Sequence, residues 1–452
     1  MLRIKGKPIK FDGTIRLPAS KSYLHRALFT AALSEGSSMI SDCGRTHSDD
    51  VQATLRVLKK LGVKIRGNNE ANGSMMVVPN WTGRKKVTVY VKGSGTTARL
   101  AIAFASLAPK GVETKLSGDE SLSKRPMQEI LDALSALGVS CYSEKKDGCL
   151  PVIVRGGGIR GGECTVDGSI SSQFISALLI SCTKAKEDCT IRIKNPEKLV
   201  SRPYIEATLR VLERFGYKVK VLSSKRFEYV GFIVKSNQSG KGRVFHVPGD
   251  MSAAAALIGA ATAAKGRLQL LGANLDLPQS DSIFLSIARK LGGAIKMNGS
   301  RILVEGTDPK KGLISLDLKD APDLVPAVAG LAAGAGCDVR ISNVAHLRFK
   351  ESDRLHTLAA ELAKLGIKTH ETASSLSVFA KSKKESFRKP ILLDSQSDHR
   401  MLMAFTIAGM SGRFGEILIS DPGCVAKSYP TFVSDLQRAC GEKVTVNLVK
   451  RA

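Results

Sequence analysis

Apolar residues recur along this chain in two helical patterns that alternate. In the first they fall on one stripe of an amphipathic helix, which ends in a Leu-Gly-like pair before a short alternating run. The stretches are VQATLRVLKKLGVKI, MQEILDALSALGVSC, YIEATLRVLERFGYKVKV, SIFLSIARKLGGAIKM, LHTLAAELAKLGIKT and FVSDLQRACGEKVTV. Their closing glycines are Gly62, Gly138, Gly216, Gly292, Gly366 and Gly441, so the pattern returns about every 75 residues. Glycine suits a left-handed stop after a helix, and the alternation that follows predicts a strand. In the second pattern the helices are apolar all round: KSYLHRALFTAAL, GTTARLAIAFASLA, SSQFISALLISC, DMSAAAALIGAATAA, PDLVPAVAGLAAGAG and DHRMLMAFTIAGM. A helix without a polar face is predicted to lie inside its domain. Short strands such as TIRLP, TVYVKG, RVFHVPG and ILLDS precede these helices. Others, such as TKLSG, TIRIKN, LQLLGA, VRISNV and ILISDP, follow them.

The unit therefore reads strand, buried helix, strand, outer helix, strand, strand, an α/β repeat of layered type present six times. The sixth copy runs out of chain after VTVNLV, and the N-terminal MLRIKGKPIKF has no helix of its own. That segment is expected to supply the missing strand of the last copies. Residues 21–240 then form one three-repeat domain, and residues 1–20 with 241–452 form the other. The chain would cross between them near Ala19–Ser20 and near SNQSGKGR (236–243), whose polar, glycine-rich composition fits a hinge.

Composition adds exclusions. Hydrophobic residues are 43% and charged residues 24% of the 452, ordinary for a soluble globular protein. No apolar segment of secretory type opens the chain, and the richest apolar stretch falls short of the ~18 residues of a membrane span. Nine cysteines without a CxxC pair suggest reduced thiols in a cytoplasmic protein, with neither a disulfide framework nor structural zinc. The net charge of +27 fits a nucleic-acid binder or an enzyme for small polyanions. Cations are spread along the whole chain and aromatics are only 5%, leaving little to stack on bases, so the second class is favoured.

Candidate chemistry lies at the starts of the buried helices: Ser20-Lys21-Ser22, Gly95-Thr96-Thr97, Ser171-Ser172-Gln173, Asp250-Met251-Ser252, Pro322-Asp323 and Asp398-His399-Arg400. Capping accounts for most serines and for Asp250. It does not account for Lys21, Arg26 or Arg400, because a cation at a helix N-terminus opposes the macrodipole. Helix starts and cations together predict an anionic ligand. The sequence speaks against a nucleotide cradle of P-loop type: ASKS lacks the preceding Gly-x-x-x-x-Gly, and KGSGTTAR lacks the Lys-Ser/Thr. Charges also gather where the chain enters the outer helices. HSDDV (47–51), Lys124-Arg125, VSRPYIEA (200–207), LRFKESDRL and DPGCVAKSYP all occupy that junction, which points to a site rather than a solvated face.

LPASKSYLHRALFTAAL, GTTARL, SGDESLSKRPM, SSQF, SRPYIEATL, GDMSAAA, PDLVPA, RFKESDRL, SDHRMLMAF and DPGCVAKSYP, in this order, resemble the signature stretches of the EPSP synthase family (3-phosphoshikimate 1-carboxyvinyltransferases) over essentially the full chain. The resemblance implies a two-domain inside-out α/β barrel of six βαβαββ repeats. It implies enolpyruvyl transfer from phosphoenolpyruvate to the 5-hydroxyl of shikimate 3-phosphate with release of phosphate, without metal or organic cofactor. By the same resemblance Ser22, Arg26, Ser171, Ser172, Gln173, Ser201, Tyr204, Asp323 and Lys350, with Lys21, hold the shikimate phosphate substrate. Lys21, Gly95, Arg125, Gln173, Arg354, His399, Arg400 and Lys427 hold phosphoenolpyruvate. Lys21, Asp323 and Glu351 move protons.

Physical chemistry agrees with that assignment. Two substrates carrying a phosphate and a carboxylate each need a dense set of Arg and Lys. Asp323 is expected as base toward the hydroxyl, with Glu351 and Lys21 serving the enolpyruvyl carbon. The division among the three stays open, as does a role for the two acids in balancing cations. Bound anions are expected to favour closure of the domains. The protein is expected to be a cytoplasmic monomer whose partners are these anionic small molecules, with no nucleic acid and no membrane. Gly93 and His346 depart from the family pattern, which more often has asparagine at the first and asparagine or glutamate at the second. The rivals are an enolpyruvyl transferase acting on UDP-N-acetylglucosamine and an RNA-binding or RNA-end-processing protein of similar fold. The first relies on a cysteine near SGDESLSKR, and this chain has none between Cys43 and Cys141.

Overall fold

A computed structural model describes residues 1–5, 10–44, 47–68, 73–309, 312–380, 389–441 and 444–446. The second repeat displays the unit: strand Lys86–Tyr90, helix Gly95–Ala105, strand Glu113–Ser117, helix Gln128–Ala136, then strands Cys141–Ser143 and Val152–Arg155. The first two strands pair in parallel and the others antiparallel, giving the order first, second, fourth, third across the sheet. The repeats starting at Gly162–Val166 and Leu313–Asp317 follow the same order.

Three further four-stranded sheets are completed by strands from elsewhere in the chain. Leu2–Ile4 lies antiparallel between Ile417–Ile419 and Val444–Val446, so the N-terminus completes the last repeat. Residues 447–449 of VTVNLV fall outside the described residues. Of the other two completions, the one by Asp12–Arg16 agrees with the placing of residues 1–20 beside the last three repeats, and the one by Val244–His246 corrects the reading. TIRLP and RVFHVPG precede interior helices, yet they do not pair within those helices' repeats. Asp12–Arg16 lies parallel to Arg267–Leu271 of the fourth repeat, and Val244–His246 lies parallel to Met39–Ser41 of the first. Alternation predicts that a segment is a strand but not which parallel neighbour it takes. Backbone bonds fasten each exchange beside the helix caps: Ser20 donates to the Pro248 carbonyl and Asp250 to that of Pro18, both at 2.8 Å.

The exchange defines two compact units, Ala19–Pro248 and Met1–Pro18 with Gly249–Ala452. The boundaries expected at 20/21 and 240/241 therefore fall at 18/19 and 248/249. In the first unit the interior helices are Lys21–Ala31, Gly95–Ala105 and Gln173–Ser181, buried along nearly their whole length. In the second they are Met251–Ala263, Val325–Ala335 and His399–Met410. Their small residues allow close crossing: a Cβ on Gly330 would strike the Ala404 backbone, and one on Gly259 would come 2.9 Å from the Ile407 side chain. All six closing glycines of the outer helices have positive φ, from +63° at Gly441 to +106° at Gly62. Among the described residues no helix is long and apolar enough to cross a membrane.

Candidate functional site

In the unit Ala19–Pro248 the polar helix starts are tied together by short side chains. Lys21 Nζ lies 2.8 Å from Asp50 Oδ2, on the first turn of the outer helix Asp49–Lys60. One turn on, Thr54 Oγ1 meets His25 Nδ1 at 2.7 Å and Thr97 Oγ1 at 2.8 Å, and Thr97 donates back to the Asp50 carbonyl at 3.1 Å. Burial pushes the His25 imidazole down to about 3, so this bridge is neutral at working pH.

Arg26 reaches across to the third repeat. Nε donates to Thr208 Oγ1 at 2.8 Å, Nη1 to the Ser22 carbonyl at 2.8 Å, and Nη2 to the Tyr204 carbonyl at 3.1 Å and Ser176 Oγ at 3.3 Å. Its guanidinium carbon lies 5.7 Å from the centre of the Tyr204 ring. Burial lowers this guanidinium to about 10, which leaves it charged. Among the described residues no carboxylate pairs with it.

The second gathering surrounds Gly95. A Cβ there would stand 3.3 Å from Arg99 Nη1, 3.4 Å from Arg125 Nη1 and 3.8 Å from Gln173 Oε1. Gln173 donates its backbone N–H to Ser171 Oγ at 3.2 Å. Ser172 and Ser201 are buried, and Ser201 has a left-handed φ of +57°. Ser201 accepts the Tyr204 backbone N–H at 3.2 Å.

The unit carrying Gly249–Ala452 holds a denser cluster. Asp323, just before the helix Val325–Ala335, takes Arg354 Nη1 at 3.0 Å and Arg400 Nη2 at 3.3 Å, with Lys350 Nζ at 3.8 Å. Arg354 also reaches Glu351 at 2.8 Å, while Lys427 Nζ lies 3.4 Å from the other Glu351 oxygen. Asp398 receives Arg354 Nε at 2.8 Å and caps its own helix by accepting the Arg400 backbone N–H at 2.8 Å. His399 Nδ1 lies 3.6 Å from Asp398. Burial would raise the Asp323 carboxyl, but Arg400, Lys350 and Arg354 together hold it well below the usual carboxylate range. His346 is buried and pushed down to about 4, first by desolvation and then by Lys350.

In the first unit the structure groups Arg26 with Ser22 and Tyr204, and Gly95 with Arg125 and Gln173, while Lys21 pairs with Asp50; in the second, Asp323, Lys350, Glu351, Arg354, Arg400 and Lys427 form one paired cluster. The expected cap holds at Asp250, whereas Ser20 and Ser172 make no side-chain cap; Ser94 and Asp398, not named as caps by the sequence reading, do cap their helices. Sequence reasoning left out Asp50, Arg99, Asp281 and Asp398 as site residues. Asp50 and Asp281 both lie where the chain enters an outer helix, the junction that marked Arg125 and Arg354, so the repeat itself held that signal.

Asp281 is buried and accepts hydroxyl hydrogen bonds from Ser252 and Ser280. Burial, then the charge of Asp323, push it up to about 6 against the pull of Arg400 and the Ser252 hydroxyl. A carboxyl raised by folding adds stability that is complete below its unfolded value near 4 and is lost as pH rises through the folded one. Asp281→Asn is therefore expected to be at least as stable as the parent at about pH 8 and to lack the parent's relative gain toward about pH 4. Melting curves across that range check it, and parallel pH profiles for parent and variant would refute it.

The description EPSP synthase (3-phosphoshikimate 1-carboxyvinyltransferase) matches residues 6–436. A 3-phosphoshikimate 1-carboxyvinyltransferase of Nitrosopumilus maritimus is 37% identical over 440 residues, covering 97% of this chain and 98% of the relative. One from Methanocaldococcus jannaschii is 35% identical over 450 residues, covering 98% and 99%. The solved EPSP synthase of Acinetobacter baumannii superimposes with a TM-score of 0.77 at 26% identity, covering 97% of this chain and 98% of that one.

Proposed function

The chain belongs to the EPSP synthase family and transfers the enolpyruvyl group of phosphoenolpyruvate to the 5-hydroxyl of shikimate 3-phosphate; we propose that the charged helix starts of both units bind and activate these two substrates. The observation that carries the residue assignment is the cluster of Asp323, Lys350, Glu351, Arg354, Arg400 and Lys427, whose members pair with one another. The phosphate and carboxylate of phosphoenolpyruvate compete for the same guanidinium and ammonium groups through charge-assisted bonds. Once they engage Arg354 and Arg400, Asp323 loses the cations that depress it and becomes a better base.

The reaction then runs in two steps. The 5-hydroxyl oxygen bonds to C2 of phosphoenolpyruvate, its proton passes to Asp323, and C3 takes a proton from Lys21 or Glu351. C3 next returns a proton to Lys21 or Glu351, the bond from C2 to the phosphate oxygen breaks, and inorganic phosphate leaves. Arg26, Ser22, Ser171, Ser172, Ser201, Tyr204 and Lys350 serve the shikimate phosphate. Gly95, Arg125, Gln173, Arg354, His399, Arg400 and Lys427 serve phosphoenolpyruvate. Lys21 meets both substrates. We infer a cytoplasmic monomer that acts without nucleic acid; the chemistry, anion binding and proton transfer, calls for no organic cofactor. The net charge of +27 is larger than this chemistry requires, and nothing in the structure explains it.

Phosphate release by the purified chain tests the reading. Release is expected only when both substrates are present. UDP-N-acetylglucosamine in place of shikimate 3-phosphate is expected to give none. A chain that releases no phosphate with its own pair, or that retains RNA on a filter at moderate salt, would overturn it.

A further inference from the structure

We propose that Arg99 is a positioning residue that fixes the carboxamide of Gln173, engaging its oxygen so that one N–H stays available to an anionic substrate. The proposal rests on the reading that phosphoenolpyruvate binds beside Gly95, Arg125 and Gln173. Arg99 lies one turn into the interior helix Gly95–Ala105 and is 6% exposed. Its Nη1 stands 2.7 Å from Gln173 Oε1. A guanidinium carries only donors and keeps its proton at any working pH. The Gln173 atom that faces it must therefore be the oxygen, so the chemistry of the neighbour sets the orientation of the amide.

The nitrogen is thereby turned to the other side, where Nε2 donates to Thr96 Oγ1 at 2.9 Å. A carboxamide nitrogen has two N–H groups, and Thr96 takes one of them. Arg99 is held in place on its other edges. Nη2 donates to the Pro126 carbonyl at 3.3 Å, directly after Arg125, and the guanidinium lies 4.8 Å over the Phe174 ring. One planar fork thus joins the start of helix Gly95–Ala105, the start of helix Gln173–Ser181 and the turn that carries Arg125. A lysine ammonium, as a point donor, cannot hold all three at once. Without Arg99 the amide is free to flip, and the flipped form presents an oxygen to the substrate anion.

The test uses the full chain as Arg99→Met, Arg99→Lys, Gln173→Ala and the double variant Arg99→Met/Gln173→Ala. Loss of one hydrogen bond to a charged group is expected to raise KM for phosphoenolpyruvate on the order of tenfold to a hundredfold in Arg99→Met, with a smaller change in kcat. Arg99→Lys is expected to recover part of the loss. Gln173→Ala should match Arg99→Met, and the double variant should be no worse than the poorer single. Without substrate, the side-chain amide resonance of 15N-glutamine that disappears in Gln173→Ala is expected to move in Arg99→Met. Additive losses in the double variant, a lowered melting temperature with unchanged KM, or an unmoved amide resonance would each overturn the proposal. If the parent chain itself fails to turn over phosphoenolpyruvate, the functional reading falls, and the resonance still decides the role of Arg99.

Discussion

Arg354→Ala is expected to lose about 3–5 kcal/mol of folding stability and all measurable turnover. The side chain serves three carboxylates at once: Asp398, Glu351 and Asp323. Burial opposes its charge, and those three acids more than restore it, so the guanidinium is raised above its ordinary value. A buried ion pair adds little net stability over an apolar pair, but removing one partner strands the other without water. Here the heaviest cost falls on Asp398, which is fully buried and keeps the Arg400 backbone N–H and the Ser352 hydroxyl, with His399 Nδ1 at 3.6 Å. Against a total stability of about 5–15 kcal/mol this loss is a large share. It should appear as a fall in melting temperature of roughly 6 °C or more. Arg354→Lys should recover part of it, because a single ammonium cannot meet three acids placed around a planar fork. A Arg354→Ala chain that melts within a degree or two of the parent would mean that the cluster is solvated in solution and that the pairing described above does not hold.

The same cluster marks the limit of what the sequence discloses. The repeat was legible because its signals are local: an apolar stripe, a closing glycine with positive φ and an alternating strand all sit within one stretch of chain. The return of Val244–His246 to the first repeat was not legible, because the strand precedes a helix that it does not pair with. For the site, cations at helix starts stood out since they oppose the dipole, and Lys21, Arg26 and Arg400 were found on that ground. The acids that answer them were hidden by the same reasoning. Asp398 at a helix start satisfies the rule for a cap, and it does cap, while also holding Arg354. Asp50 neutralises Lys21 from a first turn where acids are ordinary. Arg99 lies inside an apolar run, where an arginine announces nothing until its partner Gln173, in another repeat, is seen beside it.

Asp323→Asn is expected to lower kcat by about 10²–10⁴-fold while KM for phosphoenolpyruvate stays the same or falls. The two directions have one cause. The Asp323 carboxylate takes Arg354, Arg400 and Lys350. An asparagine of the same shape still accepts hydrogen bonds but holds these cations less tightly, so an incoming phosphate or carboxylate competes with less. The variant has no carboxylate to take the hydroxyl proton, and that loss falls on kcat. The pH dependence adds a second reading. Asp323 is held far below the usual carboxylate range, so in the free chain it stays ionised throughout the working range and contributes no acid limb near neutrality. Asp281 is raised in part by the charge of Asp323, so removing that charge should lower the Asp281 titration. Steady-state kinetics measure the first effect, and melting curves across pH measure the second. A variant with parental kcat but reduced stability would assign Asp323 to balancing its three cations and would transfer the proton to Glu351 or Lys21.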